Sequence, residues 1–228
     1  MDDKEAIELR HSVRNYIDRD IEEDKIEALQ KFIDVQNEES GLKIQLVSND
    51  RDAFVGLNVH YGTFDNVHSY IALIGKTSCV DLEERAGYYG QKCVLEAQKL
   101  GLNSCWIALT FNKRSVIDSC KILKGEKLVC IVAIGYGKTS GVMHNSKTVQ
   151  EVSNIGDNSP EWFKEGVKYA LKAPTARNMQ RFYLEQTGDN TVRLTNLGGE
   201  YSKIDIGIVK LHFEIGAGKE NFNWDDKA

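Results

Sequence analysis

Near the N-terminus the apolar positions recur at helical spacing. Asp2 or Asp3 can cap a short helix through Leu9, and Ile26, Leu29, Phe32 and Ile33 mark one apolar face of a second helix. The period then changes to that of strands. LKIQLVS (Leu42 to Ser48) and SYIALIG (Ser69 to Gly75) are short and rich in β-formers. KLVCIVAIGYG (Lys127 to Gly137) is a nearly continuous apolar run closed by glycines, the pattern of a strand buried on both faces. Between them, GYYGQKCVLEAQKLG sets Tyr89, Cys93, Ala97 and Leu100 at i, i+4, i+8 and i+11, with Gly101 placed to end the helix in the left-handed conformation.

The later part of the chain repeats this grammar. IDIGIVKLHFEIGAG sets Ile204, Ile208, Leu211 and Ile215 on one face; Gly207 stands where Gly90 stood, Gly218 where Gly101 stood, and a tryptophan follows each helix, Trp106 and Trp224. RFYLEQTGD likewise echoes LKIQLVSND. Two amphipathic helices with glycine caps can look alike without kinship, but the pattern favours two related half-units, 1–150 and 151–228. The polar connector HNSKTVQEVSNIGDNSP, with Gly156 and Pro160, joins them. The fold class this predicts is α+β, with mixed β-sheets flanked by helices.

Proline is scarce, so its placement is informative. In SPEWFKEGVKYALKAP, Ser159 is the expected cap, Pro160 suits the first turn, and Trp162, Phe163, Val167, Ala170 and Leu171 form the buried side. Pro174 then stops the helix. Ala173 before it is biased away from the α region, which leaves Thr175, Ala176 and Asn178 on a loop at the core's edge. Backbone N–H groups, a hydroxyl and a carboxamide there suit the polar edge of a flat heterocycle, and would equally suit a loop that only caps a helix.

A formal net charge of −5 leaves no global attraction for nucleic acid or anionic lipid, so an anionic ligand must meet a local cluster of positive charge. ELRHSVRNY supplies one: Arg10, His11, Ser12 and Arg14 fall within five positions, although such a run also fits a solvated helix end. The cysteines Cys79, Cys93, Cys105, Cys120 and Cys130 contain no C-x-x-C pair, which argues against a disulfide framework or a zinc site and fits a reducing cytoplasm. Cys93 and Cys105 read as small hydrophobes, and His60 and His68 as loop residues rather than zinc ligands. No apolar run is long enough to span a bilayer, and the charged start MDDKEAIELRHS is unlike a signal peptide. GYGKTSG lacks the spacing of a phosphate-binding P-loop.

Taken together, these segments resemble the nitroreductase superfamily of flavin enzymes. Arg10, Ser12 and Arg14 match its Arg-x-Ser-x-Arg phosphate motif. Ala173, Pro174, Thr175, Ala176, Asn178 and Gln180 match its Ala-Pro-Ser/Thr-Ala-x-Asn-x-Gln motif. Gly101, Leu102, Cys105 and Trp106 match the end of its central helix, and Ile134 to Gly137 with Lys147 match its Ile-Gly-Tyr-Gly strand and basic residue. The Ala-Pro-Thr-Ala loop comes late, as in the branch named putative TM nitroreductases, whereas ordinary members carry it in the first segment and share the flavin between two subunits.

The resemblance implies a nitroreductase-like fold whose halves form a pseudo-dimer within one chain, as a monomer or weak homodimer. It implies one FMN held by Arg10, His11, Ser12, Arg14, Leu109, Thr110, Lys147, Pro174, Thr175, Ala176 and Asn178, with no catalytic protein nucleophile. NADH or NADPH would donate electrons, and a small nitroaromatic or quinone-like molecule would accept them. A flavin-binding or sensing module without efficient turnover is the second reading, and a cofactor-free structural domain the third.

Overall fold

The computed structural model describes residues 1–54 and 64–225; His60 lies outside them. In chain order the elements are α1 (Asp3–Leu9), α2 (Glu23–Ser40), β1 (Gln45–Val47), β2 (Ser69–Lys76), α3 (Leu82–Lys99), β3 (Asn103–Ile107), α4 (Lys113–Ser119) and β4 (Glu126–Gly135). Then follow α5 (Val149–Val152), α6 (Glu161–Ala170), β5 (Phe182–Gly188), β6 (Thr191–Asn196), α7 (Ser202–Ala217) and β7 (Asn223–Trp224).

Local chemistry accounts for most of the boundaries. The Asp2 carboxylate accepts from Glu5 N at 2.8 Å while Glu5 accepts from Asp2 N at 3.0 Å, a reciprocal capping box that starts α1. Gly101 does adopt the left-handed conformation, φ +79°, just past α3. Ser159 does not cap α6: its hydroxyl accepts from Gly156 N at 3.0 Å inside the preceding turn, and Pro160 takes the cap position. The strand expected over Leu42 to Ser48 shortens to Gln45–Val47, because the Asn37 carboxamide on α2 bonds both backbone groups of Ile44, at 2.6 and 2.9 Å, in place of a ladder.

The first sheet runs β1-β2-β4-β3, antiparallel throughout, with β2 and β4 buried at its centre. The second runs β5-β6-β7, the last pair parallel. One hydrophobic cluster joins the two sequence halves: Leu29, Ile71 and Val94 belong to it, and so do Phe163, Val209 and Phe213.

The halves meet most closely where α3 crosses α7. A Cβ on Gly87 would lie 2.0 Å from the Ile204 carbonyl oxygen, and a Cβ on Gly207 would lie 2.0 Å from the Glu84 carbonyl oxygen. Only glycine permits this approach. The contact therefore pairs Gly207 with Gly87. Gly90, which the sequence repeat aligned with Gly207, instead leaves room for the Leu73 and Trp106 side chains.

Candidate functional site

After α1 the chain runs extended along the end of the first sheet. Ser12 pairs with Ser104 in a parallel bridge, Val13 N donates to Ser104 O at 3.0 Å, and Tyr16 pairs with Gly137. Alternation in an extended segment then buries Val13 and turns Ser12 and Arg14 to the other side. Both line a cleft of about 230 Å³. Its sheet side comes from Cys105 to Thr110, along and just beyond β3, and from Cys130 on β4. The facing wall is Pro174, Thr175, Ala176 and Arg177 together with Tyr201, Ile204, Asp205 and Ile208 at the start of α7. Residues from both sides of the polar connector thus meet in one cleft of one chain.

Of the sequence-derived candidates, Ser12, Arg14, Leu109, Thr110, Pro174, Thr175 and Ala176 lie in this cleft. Arg10, His11, Lys147 and Asn178 do not. Arg10 and His11 line a second cavity of about 210 Å³, together with His144, Ser146, Lys168 and Lys172. Arg10 is 3% exposed, its Nε has no hydrogen-bond partner, and it makes no ion pair among the described residues. Burial pushes its pKa down to about 10. His11 is likewise lowered, by burial first and then by the neighbouring Arg10 and His144. Arg14 also makes no ion pair among the described residues and opens onto the cleft.

Lys147 and Asn178 are tied into a hydrogen-bond network around Gln180. Lys147 donates from its backbone N to Gln180 Oε1 and from Nζ to Gln180 O, both at 2.9 Å. Asn178 Nδ2 donates to Asn145 O at 2.7 Å, and Asn178 Oδ1 accepts from Gln180 Nε2 at 2.8 Å. Buried Gln180 is the hub, donating also to Asn145 O and, through its backbone, to Thr175 Oγ1. This network fastens the Pro174 loop to the connector and holds Arg177 and Asn178 at φ of 52° and 55°.

Two features escaped the sequence reading. Asp205, in the first turn of α7, accepts from Ala176 N at 2.9 and 3.1 Å, and burial raises its pKa to about 7. An aspartate between Ile204 and Ile206 in an apolar run was its only signal. The second feature is a buried relay behind Trp106: its Nε1 donates to Gln91 Oε1 at 3.0 Å, Gln91 Nε2 lies 2.8 Å from His212 Nε2, and His212 Nδ1 lies 3.2 Å from Tyr169 O. Gln91 can only donate there, so His212 accepts at Nε2 and carries its proton on Nδ1. Burial lowers its pKa to about 3 and keeps it neutral. The relay links α3 to α7 and fixes the Trp106 indole in the cleft wall.

All five cysteines are free. Burial raises the Cys105 and Cys130 thiols that line the cleft, and pushes Cys93 up to about 12, so these three side chains remain thiols at neutral pH. Among the described residues no cluster of three His, Cys, Asp or Glu side chains could hold a metal, and no helix is long and apolar enough to cross a membrane.

This arrangement of helices and mixed sheets is the nitroreductase fold. A solved structure from Thermotoga maritima, described as a putative nitroreductase, superposes with a TM-score of 0.70 at 20% identity, over 96% of this chain and 85% of that one. A putative NADH dehydrogenase/NAD(P)H nitroreductase from Parabacteroides distasonis gives a TM-score of 0.53 at 21% identity, over 69% and 98%. An FMN-dependent nitroreductase from Clostridium difficile gives 0.51 at 20%, over 68% and 98%. No curated protein matches the chain. Residues 2–217 match the family model described as Putative TM nitroreductase, and the chain belongs to that family.

Proposed function

We propose that the chain is an FMN-dependent NAD(P)H oxidoreductase of nitroreductase type that reduces flat nitroaromatic or quinone-like acceptors. The observation that carries this reading is the single cleft joining Ser12 and Arg14 to Pro174, Thr175 and Ala176. FMN would supply the hydride and electron chemistry when bound. The chain's own residues bind and orient it. Arg10, a buried guanidinium with no ion pair among the described residues, fits a phosphate, and a bound phosphate would balance its charge. His11, His144 and Ser146 beside it add donors. Ser12, Arg14, Leu109, Thr110 and the 174–176 loop would receive the ring, and Trp106, held by its relay, gives that end a rigid flat wall. Lys147 and Asn178 act through Gln180 to hold the loop.

In this reading each chain carries one complete site, formed between halves 1–150 and 151–228 acting as a pseudo-dimer. The α3–α7 crossing supports it: Gly87 meets the carbonyl three residues before Gly207, and Gly207 meets the carbonyl three residues before Gly87. Such reciprocity characterises a two-fold interface. Purified protein should be yellow, release FMN on denaturation and saturate at about one FMN per chain, then oxidise NADH or NADPH in the presence of quinones or nitroaromatics. Protein that takes up no FMN in titration would refute the reading.

A further inference from the structure

Asp205 sits in a wall shared by two spaces. With Ala176, Arg177 and Tyr201 it separates the cleft from an outer cavity of about 180 Å³ whose far side includes Met179, Arg181, Gly198 and Gly199. Among the described residues its only hydrogen-bond donor is Ala176 N, and it forms no ion pair there. One N–H cannot satisfy two carboxylate oxygens, so the group is poorly suited to remain charged in its half-buried position.

We infer that Asp205 is the proton port of the cleft, delivering to the acceptor the proton that accompanies its hydride reduction and recovering one through the outer cavity. This rests on the oxidoreductase reading above. For a quinone, the acceptor gains two electrons and two hydrogens: a hydride from the reduced flavin, its electrons drawn from NADH or NADPH, and a proton from the Asp205 carboxyl. The O–H bond of the acid breaks as an O–H bond of the hydroquinone forms. The carboxylate left behind is reprotonated by solvent.

The surroundings agree with a carboxyl that is protonated near neutrality. Cys130 on β4 and Cys105 on β3 are buried thiols, Tyr201 precedes the helix, Arg177 on the loop is paired with Glu200 at 3.3 Å, and Arg14 and Arg181 line the two cavities. Burial is the cause that raises the Asp205 pKa to about 7, and the Ala176 N–H lowers it only in part. Positioned general acids work best with a pKa near the operating pH.

Asp205→Asn separates proton delivery from loop anchoring, because the amide oxygen can still accept from Ala176 N while the amide cannot act as an acid. With FMN uptake and reduction by NAD(P)H measured first, quinone reduction by the variant should fall about 10²-fold or more. The decline of the wild-type acceptor step as pH rises through about 7 should vanish in the variant. Infrared or ¹³C NMR titration of flavin-free protein should show a carboxyl titrating near 7 that Asp205→Asn removes. If the wild type binds no FMN, both readings fall. If FMN binds normally but Asp205→Asn keeps the wild-type rate and pH profile while Asp205→Ala is impaired, Asp205 only anchors the loop and this inference alone is overturned. A carboxyl titrating in the ordinary aspartate range overturns it as well.

Discussion

Gly87 on α3 and Gly207 on α7 hold the same place in one crossing, each lying against the partner helix's backbone three residues before the other glycine. A methyl group at either position meets a carbonyl at 2.0 Å, and backbone cannot rotate out of the way as a side chain would. Gly207→Ala should therefore cost about 2–3 kcal/mol by denaturant unfolding even after the helix-propensity gain of about 1 kcal/mol. Because α7 also carries Ile204, Asp205 and Ile208 into the cleft, ligand binding should weaken as well. A variant as stable as the parent would show that the crossing is looser than these distances.

Arg10 should reveal itself by opposite effects on the ligand-free and ligand-bound protein. Arg10→Met removes a buried charge that has no ion pair among the described residues and keeps an apolar stem, so the flavin-free chain should be equally or more stable. FMN affinity should fall about ten- to a hundredfold, the scale of about 1.5–3 kcal/mol for a charged hydrogen bond. Thermal melts with and without FMN check both arms. Unchanged affinity would remove Arg10 from the phosphate site.

Asn178 should behave as a brace. Asn178→Ala loses the bonds to Asn145 and Gln180 and leaves alanine at φ 55°, which asparagine tolerates better, so stability should drop by about 1–2 kcal/mol. FMN affinity measured by fluorescence titration should change little. A large loss of affinity at unchanged stability would mean that the carboxamide turns to the ring on binding.

How much of this was legible follows from the range of each interaction. Caps and turns are local, so Asp2, Gly101 and the stop at Pro174 could be read from neighbouring residues, and the late loop motif gave the Pro174–Ala176 half of the cleft. Pairings across long stretches of chain could not. The same Gly-rich pattern fits Gly207 against Gly90 or, one turn earlier, Gly87, and only the three-dimensional crossing selects the latter. Asn178 and Lys147 carry the groups a cofactor would want and are joined here through Gln180, and nothing in the spacing announces that hub. Ser159 failed as a cap because a competing turn with Gly156 engages the hydroxyl first.

The relay behind Trp106 predicts an acid sensitivity. Gln91→Leu leaves the Trp106 indole N–H and His212 Nε2 without their partner, which should cost about 1–3 kcal/mol and broaden the tryptophan fluorescence. His212 titrates near 3 folded against an ordinary 6.5, so the unfolded chain binds its proton first, and stability from this residue falls as pH drops from about 6.5 toward 3. His212→Gln should reduce that fall relative to wild type in pH-dependent unfolding.

Asp205 has the opposite sign. Its folded pKa of about 7 lies above the ordinary 3.8, so between those values the folded chain holds a proton that the unfolded chain has released. Its contribution is fully present below about pH 4 and is lost as pH rises through about 7, by at most about 4 kcal/mol for a shift of roughly three units. Carboxylates stabilised by partners, such as Asp81 with Arg85 and Glu83 with Lys127, run the other way, losing their contribution as the solution is acidified. The total curve therefore does not isolate Asp205, whereas the difference between wild type and Asp205→Asn does. Unfolding free energies of the two flavin-free proteins at a series of pH values should show the variant gaining on wild type as pH rises from 4 to about 7 and running parallel above it. A difference that stays flat across that interval would mean that the carboxyl is ionised in the folded chain, with the Ala176 N–H outweighing its burial.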